Sequence, residues 1–300
     1  MTIRLEGIFS PMVTNFKSGS EDLDVPAFAA NARAHLAGGV DGLVICGSTG
    51  EAALLSEDER LTILEAARIA APRGKTVLMG CGGESTRQTI RRCRDAHAAG
   101  ADAALVVAPH YYSNAMNDTT LRAHYTRVAD ESPLPVVLYT IPKYMHFALS
   151  AELVAILSEH KNIVGIKDSS GDLAVLGGYL QSRSEGFTVL TGNGGQIHPA
   201  LMAGAKGGIV AVSLFAAQHA VAIYEAHTRG DHAAAEDLQA RMKPLAVTIV
   251  GELGVPGVKA AMTVAGLAGG IVRSPLVDLD AAAIKRVKGL MAQIGLSPAA

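Results

Sequence analysis

A lysine stands where an apolar stretch ends, in Ile163-Val-Gly-Ile-Lys167-Asp168. A free lysine amine titrates near pH 10.4, and desolvation lowers that value and exposes a nucleophile able to form a Schiff base with a carbonyl. The same side chain could instead pair with Asp168 or reach to the rim. A tyrosine closes the preceding apolar run, Val136-Val-Leu-Tyr139-Thr-Ile-Pro142. Its phenol could relay protons, or it could be a core aromatic with one satisfied hydroxyl. A third stretch, Cys46-Gly47-Ser48-Thr49-Gly50-Glu51, sets two hydroxyls between glycines in a tight turn. Backbone amides and hydroxyls in such a turn suit a carboxylate or phosphate, although the lysine of a P-loop is missing. Cys46 reads as a small buried hydrophobe. In Ala108-Pro109-His110-Tyr111-Tyr112 the adjacent tyrosines suit an interface, and His110 reads as a loop histidine. Thr191-Gly192-Asn-Gly-Gly195 is either room for a ligand or an ordinary turn.

These groups need a frame that brings them to one face. Short runs rich in Val, Ile and Leu recur: 7–13, 42–46, 76–80, 103–108, 136–141, 163–167, 187–191 and 207–212. Near-continuous apolar runs suit strands buried on both faces. Helix patterns lie between them. Val25–Ala37 ends at Gly38-Gly39. Ser56-Glu-Asp-Glu59 reads as a capping box opening a helix stopped by Pro72. Further helices are expected over Ser85–Ala99, Thr119–Asp130 and Ser150–Leu157. The alternation predicts an α/β fold, a TIM (β/α)8 barrel over residues 1–230. Residues 231–300 hold helix patterns (His232–Leu245, Gly257–Leu267, Asp280–Ile294) and read as a C-terminal helical extension packed on the barrel. In such barrels chemistry sits at the C-terminal ends of the strands, which is where the groups above fall.

Composition narrows the classes. The 300 residues are 49% hydrophobic and 18% charged, with 26 Lys+Arg against 28 Asp+Glu. That excludes disorder and gives no basic surface for nucleic acid. No apolar run of about 18 residues predicts a membrane span, and the N-terminus lacks a signal-peptide pattern. Three cysteines without metal-ligand spacing point to a reducing, cytoplasmic setting. No cluster with divalent-metal spacing accompanies the strand-end residues, which favours amine catalysis without a cofactor over metal-assisted enolisation.

The strand-two GSTGE, the strand-five Y-x-x-P and the strand-six G-I-K-D, in that order, resemble the dihydrodipicolinate synthase/N-acetylneuraminate lyase family of class I pyruvate aldolases. The resemblance covers about residues 5–295. Within the family the chain looks closest to the 4-hydroxy-2-oxoglutarate aldolases, through GCGGEST, GADAALVVAPHYY, SPLPVVLY, NIVGIKDSSGD and GVPGVK. The resemblance implies that Lys167 is the Schiff-base lysine, Tyr139 the proton-relay phenol and Ser48 the hydroxyl handing protons between tyrosines. It implies that Gly47, Ser48, Thr49 and Gly50 hold the carboxylate of a 2-oxo acid such as pyruvate, with Gly192 and Val210 also against substrate. Tyr111 would enter a neighbouring subunit's site in a homotetramer built as a dimer of dimers.

One segment departs from the family pattern. Synthases carry an arginine two residues after the strand-five proline, where it binds the carboxylate of aspartate semialdehyde. Here the segment is Pro142-Lys143-Tyr144-Met145-His146. The expectation is therefore retro-aldol cleavage of a 4-hydroxy-2-oxo acid, 4-hydroxy-2-oxoglutarate first and a less charged analogue next. The alternatives are the synthase condensation, or a 2-keto-3-deoxy sugar-acid aldolase or dehydratase. Tyr144, Met145 and His146 are expected to make the distal pocket bulkier and more apolar, with Lys143 as a stray point charge.

Overall fold

The computed structural model describes residues 3–296, so the ends of both expected regions, 1–2 and 297–300, lie outside the described residues. Eight parallel strands close into a barrel in sequential order, with β1 (Gly7–Pro11) pairing both β2 (Gly42–Ile45) and β8 (Gly207–Ile209). Between them lie β3 (Thr76–Gly80), β4 (Ala103–Val107), β5 (Val136–Thr140), β6 (Ile163–Asp168) and β7 (Thr188–Thr191). Side chains such as Leu43, Leu78, Leu105, Leu138, Ile166 and Leu190 are fully buried, as a sheet covered on both faces requires.

Several strands stop short of their apolar runs. β2 ends before Cys46, which takes a left-handed φ of 54° and turns the chain off the ladder. β8 ends before Val210, which leads into a 3-10 turn over Ala211–Leu214. β6 runs one residue further, through Asp168.

The helices follow their caps. α1 (Val25–Ala37) starts where Asp24 accepts from the Ala27 amide. α2 (Glu57–Ala70) carries the expected capping box, Ser56 and Glu59 bonding each other's backbone amides. α3 (Thr86–Ala98), α4 (Asp118–Glu131) and α6 (Ala151–Ser158) fall within one residue of expectation at each end. Sequence periodicity left unspecified the short α5 (Pro142–Met145), α7 (Leu173–Ser182), α8 (Ile197–Ala203) and α9 (Ala217–Thr228).

Beyond residue 230 the chain forms further helices, with a non-helical stretch over 265–280. α10 (His232–Leu245) packs along α9, and a π-helical segment, Ala246–Glu252, passes into α11 (Gly254–Val264). α11 begins earlier than the expected Gly257, the break falling at Gly254 with φ 64°. α12 (Ala281–Gln293) packs on α11. This part is stitched to the first βα unit: the side chains of Asn15 and Asn31 donate to the Ala268 carbonyl, and the Ala268 amide donates to Asn31. Cys46, Cys81 and Cys93 are free and buried.

Candidate active site

The pairing of β5 with β6 sets Tyr139 directly opposite Lys167. Neighbours in register on parallel strands point to the same face. The Lys167 amine lies 4.3 Å from the centroid of the Tyr139 ring. The Tyr139 hydroxyl is 3.4 Å from Ser48 Oγ, at the end of β2. Lys167 is 5% exposed and Tyr139 4%. An amine, a phenol and a hydroxyl thus form one chain at the C-terminal mouth of the barrel.

Asp168, the alternative partner for Lys167, is turned away. Its carboxylate accepts from the Ser170 amide at 2.8 Å and from Ser170 Oγ at 3.0 Å. Burial raises the Asp168 carboxyl above the usual range. Among the described residues Lys167 makes no ion pair.

The turn over residues 47–50 is held from both ends. Cys46 (φ 54°) and Glu51 (φ 55°) both sit in the left-handed region that non-glycine residues seldom adopt. Thr14 Oγ1 donates to the Gly50 carbonyl at 2.7 Å. Glu51 pairs with Lys259 of α11 at 2.6 Å and accepts from the Arg273 amide at 2.9 Å. The Cys46 carbonyl lies so near β3 that a Cβ at Gly80 would stand 2.1 Å from it. Burial pushes the Cys46 thiol up to about 11, so it serves as packing and not as a thiolate.

A cavity of about 1010 Å3 opens over this mouth. Gly47, Ser48, Tyr139, Ile141 and Tyr144 line it, with residues 253–256 and 275–277 forming an opposite wall. Two arginines reach the lining, Arg60 and Arg92, and both are occupied. Arg92 forks onto Glu57, with Nη2 2.8 Å from Oε1, and also donates to the Gly82 carbonyl. Arg60 donates to the Ala52 and Gly80 carbonyls. Arg92's hydrogen bond is the main cause that holds the Glu57 carboxyl below the usual range.

Only one of the three distal residues faces this space. Tyr144 lines it, 43% exposed, with burial raising its phenol pKa. Met145 is instead buried, its Sδ accepting from the Ile141 amide. His146 takes a left-handed φ of 65° and is exposed outside the lining. That corrects the expectation that all three thicken the pocket. Lys143 is not on the lining: its amine donates to the Gly251 carbonyl at 2.9 Å and lies 5.8 Å from the Tyr144 ring centroid.

Other expected substrate contacts lie off this lining. Thr49 is half-buried in the turn, and Gly50 is buried where a Cβ would come 2.8 Å from the Met12 carbonyl. Gly192 follows β7, its amide on the Asp168 carbonyl, where a Cβ would strike Ser169 Oγ at 1.9 Å. Val210 is fully buried, its amide on Phe9 of β1. Tyr111 is 77% exposed, edge-on to Tyr112, and its backbone amide donates to Glu84. It does not reach the site of its own chain.

A family model described as the dihydrodipicolinate synthetase family matches residues 4–294. The chain belongs to that family. With it, the chain is a class I lyase working through a lysine Schiff base. A protein of Methanoculleus marisnigri named 4-hydroxy-tetrahydrodipicolinate synthase is 35% identical over 97% of this chain and 99% of its own. One from Methanosphaerula palustris with the same name is 37% identical over 92% and 94%. Among solved structures, YagE, a prophage protein of this family from E. coli K12 in complex with pyruvate, superposes with a TM-score of 0.91 at 31% identity, over 97% of this chain and 99% of that one. A dihydrodipicolinate synthase variant described as the first monomeric one superposes with 0.92 at 27% identity, over 97% of each chain. The sequence reading pointed to the hydroxy-oxoglutarate aldolase branch, whereas these relatives carry the synthase or synthase-family name.

The Glu51–Lys259 clamp ties the 47–50 turn to α11. Sequence reasoning missed it. The signal was present in Gly254-Val-Pro-Gly-Val-Lys259, a lysine among apolar helix residues that needs a buried partner. No helix among the described residues is long and apolar enough to cross a membrane.

Proposed function

We propose that the protein cleaves or forms a carbon–carbon bond in a 2-oxo acid, with pyruvate as product or donor, through Lys167. The uncharged Lys167 amine adds to the keto carbon, and loss of water gives a protonated imine. Tyr139, relayed by Ser48, takes the proton of the C4 hydroxyl. The C3–C4 bond breaks, its electron pair flows into the imine, and an aldehyde leaves. The enamine is protonated at C3, and water then releases pyruvate and the free amine. The 47–50 turn holds the carboxylate with its amides and hydroxyls. The observation that carries this is the Tyr139–Lys167 register together with the Tyr139–Ser48 contact.

For the far end of the substrate, the lining supports an uncharged group. Tyr144 stands where a synthase has its arginine, and Arg60 and Arg92 are already bound to Glu57 and carbonyls. The same lack of a free cation counts against the second carboxylate of 4-hydroxy-2-oxoglutarate, the first expectation. A 4-hydroxy-2-oxo acid without it, such as a 2-keto-3-deoxy sugar acid, fits better. The synthase condensation of pyruvate with aspartate semialdehyde is the second reading, favoured by the names of the relatives.

The proposal includes a tetramer of tight dimers in which Tyr111 crosses to a partner's site. It is supported by that tyrosine's exposure and its separation from its own site. Light scattering that showed only active monomer would refute it. The main test is a substrate panel with pyruvate release coupled to lactate dehydrogenase, run beside the condensation assay. Cleavage of an uncharged-ended 4-hydroxy-2-oxo acid is expected. A condensation kcat/KM above about 10⁴ M⁻¹s⁻¹ without such cleavage would make the synthase reading the answer.

A further inference from the structure

Away from the catalytic mouth, α8, α9 and α10 bring three histidines together. His198 is the second residue of α8, His227 lies in the last turn of α9 and His232 opens α10, just past the Gly230 turn. Taking one ring nitrogen from each, the three atoms lie within 4.8 Å of one another. The ring centroids are 5.2 to 5.8 Å apart. His198 Nε2 and His227 Nδ1 are buried and have no hydrogen-bond partner among the described residues. His198 as a whole is 8% exposed, whereas His232 is open to solvent.

Two orphaned imidazole nitrogens in one small patch are uncommon, because buried polar atoms ordinarily find partners. Mutual hydrogen bonding does not satisfy them here. A positive ion between the rings would. The backbone beneath is fixed: the His198 amide donates to Gln239 Oε1 at 3.0 Å, and Gln239 Nε2 donates to the Gly194 carbonyl at 3.1 Å. That ties the first turn of α8 to α10. Burial, followed by the neighbouring imidazoles, holds His198 and His227 below the ordinary histidine range. Neutral imidazole is the form that ligates. Glu236 acts on His198 from the next turn of α10 and adds negative charge beside the trio.

We propose that His198, His227 and His232 form a binding site for a divalent transition-metal ion, zinc in the first instance. Imidazole suits zinc, copper and nickel, and three imidazoles with a fourth position left to water is an ordinary zinc arrangement. Zinc–nitrogen bonds of about 2.0–2.1 Å place tetrahedral ligand atoms about 3.4 Å apart, so the rings draw together by roughly an ångström. The exposed His232 can supply most of that movement and the route of entry. The ion would clip α8 to the α9–α10 hairpin on the outside of the barrel. None of the three residues lines the active-site cavity, so the clip acts on stability and not on the chemistry.

The test uses full-length protein without a histidine tag, stripped with a chelator and titrated calorimetrically with Zn2+, with Co2+ as a spectroscopic probe. One ion per chain is expected, with the strong visible bands of four-coordinate Co2+ and a melting temperature that rises with Zn2+. His232→Ala, at an exposed position, should weaken Zn2+ binding at least tenfold and abolish the thermal shift while leaving pyruvate adduct formation unchanged. His227→Gln should do the same to binding. Wild-type protein that shows no saturable binding below millimolar Zn2+, or the same affinity in both variants, would overturn the site.

Discussion

The molecule buries two lysines near the same turn and treats them in opposite ways. Lys259, 2% exposed, is locked onto Glu51 at 2.6 Å and donates to the Ile271 carbonyl. Burial pulls its amine below the usual lysine range, which Glu51 partly opposes. Lys167 is almost as buried and, like Lys259 over Phe16, lies over an aromatic ring, yet it has no carboxylate partner and its ring is a phenol. A buried amine that is ion-paired is architecture, and one left unpaired beside a phenol is available for chemistry. The contrast also separates two regions. The mouth carries reactive groups with few mutual restraints. The seam between the strand-two turn and the C-terminal helices is built of charge pairs: Lys259–Glu51, and Arg273 on Glu59 at 2.6 Å.

The sharpest way to break the comparison is Lys167→Ala. Turnover should fall to background, and borohydride with pyruvate should add no mass, while circular dichroism stays native. Retained turnover would show that the two lysines do not differ in kind. Tyr139→Phe should reduce kcat by roughly 10²–10⁴-fold, the usual span for a general acid–base group. A loss confined to KM would make Tyr139 a binding residue.

At the seam the predicted effect is on stability. Lys259→Met leaves Glu51 buried and unpaired, which should cost about 3–5 kcal/mol in urea unfolding. The double variant Lys259→Met/Glu51→Leu should recover most of that loss. No recovery would mean that the cost comes from the packing of α11 and not from the orphaned charge. Both should raise KM for the 2-oxo acid more than they lower kcat, since the clamp acts through the 47–50 turn.

The smallest effect is pH dependence. The Arg273 hydrogen bond holds the Glu59 carboxyl below its ordinary 4.5. A carboxylate with a depressed folded value stabilises the fold above its unfolded pKa and loses that contribution as the pH falls through the folded value. Wild-type melting temperature should therefore drop more steeply below about pH 4.5 than that of Glu59→Gln. Parallel curves would remove Glu59 from the account.

What was legible in the sequence had a local or periodic cause. Lys167, Tyr139 and Ser48 could be placed together because each stands at or near the end of an apolar run and barrel closure brings run ends together, while their roles came from the family resemblance. The capping box at Ser56 and the bounds of α1 and α10 likewise follow from side chains a few residues apart. Two kinds of fact were not legible. Met145 and Tyr144 are adjacent and both large, yet a left-handed His146 and a sulfur contact to the Ile141 amide send one inward and leave the other on the cavity. The Lys259–Glu51 clamp joins residues far apart in the chain, and the three histidines come from three helices, two of which periodicity did not specify.

The register of β5 against β6 sets the distance between amine and phenol by hydrogen-bonded rungs, not by a loop. The segment after β5, by contrast, is a short helix ending on a left-handed residue and touches no rung. Bond-making and partner choice are therefore mechanically separate in this molecule. Exposed positions of that segment, Tyr144 above all, can be exchanged or recharged without touching the rungs that set the amine–phenol spacing.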